Sequence, residues 1–280
     1  MYICMSSFYY NILLLFNIIS MAIITLTSDW GLSDYYVPAV KGALYSALPD
    51  ANVVDITHNI DSFDIRSAAF IVKNSYRHFP EGTIHILAIE TEESLNNPHA
   101  VVKVNGHYFV GTDNDIFSLI VEGDDYEAVM IDVVQDTDFF TFSTRDRFVK
   151  VAVMLSQGKT LSEIGSPYTI KEKIAFQPAF DSNSIHGIVI FVDAYENLVT
   201  NITKSLFEKV RAGRNFSIKL CCGLYSINKI RKSYKEVQEP DLLALFGTHG
   251  FLEIALNHGK ASSLLGIERD SAIDIYFYDE

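Results

Sequence analysis

The sequence predicts a two-domain protein. An α/β amino-terminal domain, with a mostly parallel sheet flanked by helices, precedes a smaller all-β, barrel-like carboxyl-terminal domain. Three observations predict this fold class. Strand-like apolar runs alternate with helical patterns as far as residue 156, which is typical of parallel sheets. After residue 185, short strand-like runs dominate, as in small antiparallel barrels or sandwiches. Between these parts, residues 167–184 contain two prolines and a polar run, which is typical of a linker.

Length and composition set the domain boundaries that we expect. With 280 residues, 49% of them hydrophobic, the chain can form two domains with buried cores. We predict the α/β domain over 21–166, the linker over 167–184 and the β-barrel domain over 185–280. We expect residues 1–20 to be a spurious extension before a start at Met21, because their apolar run has no preceding Lys or Arg, no cleavage site and no following spacer. A weak signal or anchor is the alternative.

In the amino-terminal domain, a strand over 22–28 and a helix over about 34–47 open the alternation. The other predicted elements are, in chain order, strand 52–55, helix 64–77, strand 83–90, strands 100–104 and 107–111, helix 114–121, strand 128–132 and helix 145–156. Each strand is a short apolar run, and each helix has the helical spacing of apolar residues. This order predicts a sheet covered by helices on both faces.

In the carboxyl-terminal domain, helices are brief and strands are frequent. Strands are predicted over 186–193, 216–220, 223–226, 252–256 and 272–278, and helices over about 203–209 and 239–245. This pattern favours a small antiparallel barrel or sandwich.

Charge and cysteine content exclude several kinds of partner. With 35 acidic and 22 basic residues the net charge is −13, which argues against nucleic acid as a partner. We also expect no membrane partner. The three cysteines are Cys4 and the adjacent pair Cys221 and Cys222, which give neither a disulfide framework nor the spacing of a zinc site. We therefore expect a cytoplasmic protein without a bound metal.

The end of the first strand is the clearest functional signal. The apolar run from Ile23 ends in Asp29 and the turn residue Gly31, so Asp29 lies at the carboxyl end of a buried strand, where open α/β sheets bind their ligands. The alternative from the spacing alone is that Asp29 caps the following helix. The glycine-rich fingerprints of dinucleotide-binding folds and of P-loops are absent from the sequence, which disfavours a dehydrogenase or a P-loop nucleotidase.

Several short blocks occur in a specific order between Met21 and the end of the chain. They are Leu26–Gly31 with Asp34, Tyr35, Lys41 and Gly42; Val54–His58; Gly111–Asn114; Gly187–Ile202; and Gly250–Ala255. In this order and spacing, the chain resembles the S-adenosyl-L-methionine (SAM) hydroxide adenosyltransferases, which are related to the SAM-dependent fluorinase and chlorinase. The resemblance implies an α/β domain followed by a β-barrel domain. It also implies a homotrimer with inter-subunit sites and SAM as substrate, without a cofactor or metal.

The resemblance also implies which residues bind SAM. Asp29 is expected to hold the ribose hydroxyls, Phe63 to lie against the ligand, Asp193 to meet the methionine ammonium, and Asn197 to bind the adenine. These residue types suit those groups, because a carboxylate accepts hydrogen bonds from a diol or an ammonium and an amide matches the adenine edge. From the residues alone, Phe63 could instead be a core aromatic residue, and Asp193 and Asn197 could only form a turn.

Three further residues are predicted to contact SAM on the same grounds. Tyr195 lies in the block that contains Asp193 and Asn197. Thr248 and His249 lie in a loop where members of the resembled family contact the ligand, and His249 is a candidate for the methionine carboxylate.

The chain departs from the resembled family at its catalytic positions. The hydroxide-using members have an Asp, an Arg seven residues later, and a His in a Phe-His-Gly-Arg-Asp block. Here Glu90 stands at the Asp position, Asn97 at the Arg position and Ser143 at the His position. Only Glu90 keeps an ionisable group.

Three interpretations of this departure stay open. In the first, Glu90 orients water with help from Glu93 or His99, and the enzyme hydrolyses SAM to adenosine and methionine; Glu90, Glu93 and Ser143 are the catalytic candidates. In the second, the protein binds SAM or adenosine without turnover. In the third, another nucleophile is used, although the carboxylates at 90, 92 and 93 would repel a halide. His99 is otherwise expected on the surface, and Arg145 with Asp146 as a charge pair at a helix start.

Overall fold

The computed structural model describes residues 23–135, 137–138, 140–173 and 176–279. The extension predicted at residues 1–20, with the start at Met21, lies outside these residues. The chain divides into two compact units after Lys173. Across the described ranges, no helix has the length and apolar character needed to cross a membrane.

The first unit is built on a seven-stranded sheet with strand order β2-β1-β3-β5-β4-β6-β7. Its strands are β1 (Ile23–Ser28), β2 (Asn52–Thr57), β3 (Ile84–Ala88), β4 (His99–Val104), β5 (His107–Thr112), β6 (Tyr126–Ile131) and β7 (Gly165–Pro167). The strands β2, β1, β3 and β5 pair in parallel, whereas β4, β6 and β7 are joined by antiparallel pairing. The sheet is therefore mixed, and the prediction of a mostly parallel sheet is only partly confirmed.

The antiparallel part of the sheet has a local cause in the turn between β4 and β5. Asn105 and Gly106 form this two-residue turn, and both have positive φ, at 51° and 78°. An Asn-Gly pair in this conformation matches the twist of an antiparallel hairpin. The turn thus fixes β4 as the antiparallel neighbour of β5.

Helices cover both faces of this sheet, as predicted. They are α1 (Tyr36–Ala47), α2 (Ile65–Ser75), α3 (Ile116–Val121), α4 (Val149–Ser156) and α5 (Leu161–Ile164), with a π-helical segment over Thr144–Phe148 before α4. Leu44 of α1 and Val151 of α4 are fully buried in the core on one face. Val72 of α2 and Phe117 of α3 are buried in the separate core on the other face. The helix α5 was not predicted, because a single turn gives no periodic signal.

The second unit is an antiparallel, nearly closed β-barrel-like domain with strand order β12-β11-β15-β9-β10-β14-β13, as the sequence predicted in outline. Its strands are β8 (Ala179–Phe180), β9 (Ser184–Val192), β10 (Leu198–Thr203), β11 (Asn215–Leu220), β12 (Tyr225–Ile227), β13 (Leu242–Phe246), β14 (Phe251–Leu256) and β15 (Ala272–Tyr278). An isolated bridge between Ile230, just beyond β12, and Ala244 of β13 brings the two edges of the sheet together. The strand β8 pairs with β9 outside this order.

The predicted helix over 239–245 is wrong, because Leu242–Phe246 forms the strand β13. A five-residue apolar run does not distinguish a buried strand from a helix by its periodicity. The run pairs along its whole length with β14, which places Leu243 and Ala244 in the interior. The helices of this unit are α6 (Lys204–Arg211) and α7 (Ala261–Leu265), of which α7 was not predicted.

A buried histidine pair lies inside the first unit. The Nδ1 atom of His85 lies 2.7 Å from Thr25 Oγ1, its Nε2 atom lies 3.2 Å from His107 Nδ1, and its ring stacks on Phe109 at 4.8 Å. Burial, reinforced by His107, lowers the pKa of His85 to about 3, and burial also lowers the pKa of His107. Both rings are therefore neutral in the folded protein near neutral pH.

This pair predicts a loss of stability on mild acidification. Below its ordinary pKa of about 6.5, an unfolded histidine binds a proton that folded His85 does not, so the free energy of unfolding falls as the pH drops from 6.5 toward 3. From His85 alone we expect a loss of about 2 kcal/mol between pH 6.5 and pH 5. Urea unfolding at several pH values measures it. A His85→Gln variant should show a shallower pH dependence, and an unchanged slope would contradict this assignment.

Candidate active site

The candidate site of the first unit lies where three neighbouring parallel strands end. Ser28 of β1 pairs with Ala88 of β3, and β5 lies on the other side of β3. Asp29 follows β1, Glu90 follows β3 after one residue, and the Asp-Asn pair at 113–114 follows β5. The structure thus places the predicted residues Asp29 and Glu90 on adjacent loops at the carboxyl edge of the sheet, where folds of this kind bind ligands.

Asp29 and Phe63 are joined by a hydrogen bond, in which the Phe63 amide donates to Asp29 Oδ2 at 2.9 Å. The helix α1 begins after Tyr35 without a side-chain cap, so the alternative that Asp29 caps this helix is wrong. The ring of Phe63 is 70% exposed, so the alternative of a core aromatic residue is also wrong. Phe63 adopts φ of 65°, which is costly for a bulky residue, and backbone strain of this kind often occurs at functional sites.

The loop that carries Asp29 is held by His58. The Gly31 amide donates to the His58 carbonyl at 2.7 Å, and Ser28 Oγ lies 2.6 Å from His58 Nδ1. On its other side, the ring of His58 lies 3.1 Å from Asp55, which also accepts a hydrogen bond from Lys41. Burial alone would raise the pKa of Asp55, but the interactions of its carboxylate with Lys41 and His58 outweigh it, and the pKa is lowered. An ionised carboxylate therefore orients the ring that holds the Asp29 loop.

Glu90 is exposed at the end of β3 and has an unusual backbone conformation. Its φ is 47°, in the left-handed region that non-glycine residues rarely adopt. The amide of Asn114 holds this conformation, because its Nδ2 donates to the carbonyls of Ile89 at 3.0 Å and Glu90 at 3.3 Å. Glu90 is therefore exposed to solvent while the hydrogen bonds from Asn114 fix its backbone.

Buried polar atoms without a hydrogen-bond partner are concentrated at the same edge. Among the described residues they include the hydroxyls of Thr27, Thr112 and Thr144 and one side-chain oxygen each of Asp113 and Asn114. An unsatisfied buried polar atom is costly, and such atoms generally bind water or a polar ligand. This end of the sheet is therefore suited to hold polar groups that the chain itself does not supply.

The residues at the two other positions of the predicted triad, Asn97 and Ser143, each form a hydrogen bond within the first unit. Asn97 Oδ1 accepts a hydrogen bond from the ammonium of Lys171. Ser143 is buried, and its hydroxyl donates to the Phe140 carbonyl at 3.4 Å. In the described ranges, neither side chain forms a hydrogen bond to Glu90, and the catalytic role of Ser143 stays a prediction.

A carboxylate, a guanidinium and an imidazole meet instead at Glu93, Arg147 and His99, which we call the ionic cluster. Arg147 Nη1 donates to Glu93 Oε2 at 2.6 Å and lies 3.0 Å from His99 Nδ1. His99 is 1% exposed, so the expectation of a surface residue is wrong. Sequence reasoning missed Arg147, although it lies four residues after Ser143, about one turn along the same segment.

The geometry of the ionic cluster determines which ring nitrogen of His99 carries a proton. Its Nε2 donates to the Thr91 carbonyl at 2.9 Å, so its Nδ1 is the acceptor toward Arg147. Burial lowers the pKa of His99, with Arg147 acting in the same direction and the Thr91 carbonyl and Glu93 opposing it. The neighbouring Arg145 and Asp146 pair with each other, which agrees with the predicted charge pair.

In the second unit, Asp193 and Asn197 form the turn between β9 and β10. Asp193 Oδ1 accepts from the amides of Tyr195 at 2.9 Å and Asn197 at 2.8 Å, and Asn197 Nδ2 donates to Asp193 Oδ2 at 3.0 Å. Asp193 and Asn197 therefore do form a turn, as the structural alternative predicted. Tyr195 at the tip of the turn is 77% exposed, whereas Asn197 is buried.

His249 belongs to a cluster of ionisable side chains in this unit, which centres on the buried Glu253 of β14. Tyr234 Oη donates to Glu253 Oε1 at 2.7 Å, and His249 Nε2 lies 3.4 Å from Glu253 Oε2. Burial raises the pKa of the Tyr234 hydroxyl, and the carboxylates of Glu253 and then Asp193 add to this effect. Thr248, next to His249 in the chain, is exposed. Sequence reasoning did not single out Glu253 or Tyr234.

Two domain models of one protein family match most of the chain. Residues 24–165 match the SAM hydroxide adenosyltransferase N-terminal domain, and residues 187–274 match the C-terminal domain of the same family. The chain is 27% identical over 272 residues to a protein named (R)-S-adenosyl-L-methionine hydrolase from Methanocaldococcus jannaschii, covering 91% of this chain and 96% of that protein. It is 28% identical over 255 residues to the Thermus thermophilus protein of that name, covering 86% and 94% respectively.

A solved structure shows the same architecture. An uncharacterized conserved protein from Thermotoga maritima superposes with a TM-score of 0.82 at 27% identity, covering 91% of this chain and all of that protein. The fold is therefore shared over nearly the whole chain.

Proposed function

The chain belongs to the SAM hydroxide adenosyltransferase family, and from this membership we propose that it hydrolyses SAM to adenosine and methionine. The observation that carries the proposal is the placement of Glu90. Glu90 is exposed two residues beyond Ala88, the β3 residue that pairs with Ser28 before Asp29, and buried oxygens without a hydrogen-bond partner lie at the same edge of the sheet. The family resemblance was predicted from the sequence and is confirmed.

The proposed reaction is an in-line displacement at C5′ of the ribose. The oxygen of water forms a bond to C5′, and the electron pair of the C5′–S bond leaves with the sulfur of methionine. The sulfonium becomes a neutral thioether, so the leaving group needs no proton. The protein has only to align the water, limit its contact with bulk solvent and accept one proton from it.

Glu90 is the proposed acceptor of that proton. It carries a carboxylate and lies at the carboxyl edge of the sheet, and Asn114 fixes its backbone. Glu93 is less suited, because Arg147 already engages its Oε2 at 2.6 Å. A halide is a poorer candidate nucleophile than water, because the carboxylates of Glu90 and Glu92 would repel an anion.

Substrate binding is proposed to involve loops of both units. Asp29 suits the ribose diol, and the exposed ring of Phe63 can lie against the ligand. In the second unit, the proposed contacts are Asp193 with the methionine ammonium, Asn197 with the adenine, and Tyr195, Thr248 and His249 around them. The homotrimer with inter-subunit sites, the cytoplasmic location and the absence of a cofactor or metal stay predictions that rest on the resemblance and the composition.

The test is to incubate the full chain with SAM in halide-free buffer. Adenosine and methionine are followed by chromatography, and binding is measured by calorimetry on the same sample. We expect adenosine and methionine in equal amounts. Tight binding without product would contradict a hydrolase and support the alternative, a protein that binds SAM or adenosine without turnover.

A further inference from the structure

The ionic cluster of Glu93, Arg147 and His99 occupies none of the three positions at which the sequence analysis placed a triad. We propose that Arg147 and His99 are positioning residues, which hold the loop over 90–98 so that the Glu90 carboxylate stays in place at the end of β3. This inference rests on the proposed function, in which Glu90 takes a proton from water.

Arg147 is anchored to the sheet independently of this loop. Its Nη2 donates to the carbonyl of Ile131, the last residue of β6, at 3.0 Å, and its Nε donates to the Val133 carbonyl, two residues further on, at 2.8 Å. Only Nη1 is directed toward Glu93 and His99. Since the guanidinium is planar, two bonds to the backbone fix the direction of the third nitrogen. Arg147 is therefore a rigid bracket on which the loop can be held.

His99 connects this bracket to the loop backbone. It lies at the start of β4, with its ring edge-on to Phe148 at 4.7 Å, and its Nε2 donates to the carbonyl of Thr91, the residue after Glu90. Asn114 holds the carbonyls of Ile89 and Glu90 from the other side. The strained backbone of Glu90 is thus fixed on both sides.

The partners of the cluster argue for positioning and against direct catalysis. His99 is buried, and each of its ring nitrogens has a partner. Every guanidinium nitrogen of Arg147 also donates a hydrogen bond. The charged groups that face His99 are Glu93 and Arg147, which neutralise each other. Within the described ranges all ring nitrogens of His99 and all guanidinium nitrogens of Arg147 are already engaged by protein groups, which favours a role that acts through the loop.

A variant cycle tests whether Arg147 acts through Glu90. We expect Arg147→Met to lower kcat for adenosine formation at least tenfold, with KM changed less than about threefold, and Arg147→Lys to recover part of the loss. In a Glu90→Gln background, Arg147→Met should cause no further loss. Losses that multiply in the double variant would overturn the inference.

A matched control is Arg77→Met, which should leave kcat and KM unchanged. Arg77 also forms an ion pair, with Asp124 at 2.7 Å, and Asp124 accepts from Asn105 in the β4–β5 turn at the opposite edge of the sheet. Glu93→Gln is a second test variant, because its exposed side chain makes it tolerant of substitution. We expect it to lower kcat in the same direction as Arg147→Met.

Hydrogen exchange of the loop amides over 91–97 gives a readout that needs no turnover. In Arg147→Met and Glu93→Gln we expect exchange there to be at least tenfold faster, with α1 unchanged, and native rates in Arg77→Met. Unchanged loop exchange in a folded Arg147→Met or Glu93→Gln variant would overturn the inference. Failure of the proposed function has a different signature, because the native chain would then form no adenosine while loop exchange still decides the role of the cluster.

Discussion

Glu90→Gln is expected to lower turnover of SAM by about 100-fold or more while leaving its dissociation constant within about threefold of the native value. The substitution keeps the size of the side chain and removes the proton acceptor, and general-base catalysis contributes roughly 10²–10⁴ in rate. The backbone of residue 90 should not change, because Asn114 holds it through carbonyl groups. Single-turnover kinetics and calorimetry on the same preparation measure the two effects.

Glu92→Gln is the matched control for this prediction. Glu92 is exposed two residues further along the same loop, and the substitution makes the same change of charge. We expect native turnover within about twofold. Equal losses in the two variants would show that the net charge of the loop, and not the Glu90 carboxylate, controls the rate.

Asp29→Ala is expected to weaken SAM binding by about 100-fold or more. A hydrogen bond to a charged group contributes about 1.5–3 kcal/mol, and a ribose diol offers two donors to one carboxylate. The substitution also removes the acceptor of the Phe63 amide, so Phe63 should lose its fixed position. Asp29→Asn keeps an acceptor for that amide and should show a smaller loss. Calorimetric titration with SAM gives the dissociation constants directly.

The control for Asp29 is Asp50→Ala, which removes an exposed carboxylate from the turn before β2, at the other end of the sheet. It should bind SAM with native affinity. If Asp29→Ala instead bound SAM normally and lost only turnover, Asp29 would belong to the chemistry and the proposed division of roles with Glu90 would be wrong.

The ends of the first strands of the sheet could be predicted because the signals for them lie in neighbouring residues of the sequence. An apolar run followed by Asp29 and Gly31 marks a strand end and a turn, so neither residue needs distant contacts to be recognised. Asn105 and Gly106 were also a local signal for the antiparallel pairing of β4 and β5, but the alternation of strands and helices favoured a parallel sheet. Tertiary order was therefore predicted less well than the elements themselves.

The ionic cluster could not be predicted in the same way. Arg147 lies 48 residues from His99 and 54 from Glu93 along the chain, and only the fold brings them together. A single sequence contains no signal for such a pairing. The burial of His99 was missed for a related reason, because its position beside Pro98 is typical of a loop, whereas here it begins the internal strand β4.

Turnover of SAM by the full chain in ¹⁸O-labelled water tests the central claim most directly. If water attacks C5′, mass spectrometry should find one ¹⁸O atom in the 5′-hydroxyl of the adenosine and none in the methionine, and Glu90→Gln should suppress the labelled product. Adenosine without the label, or no adenosine from a protein that binds SAM, would contradict a hydrolase that uses water as its nucleophile.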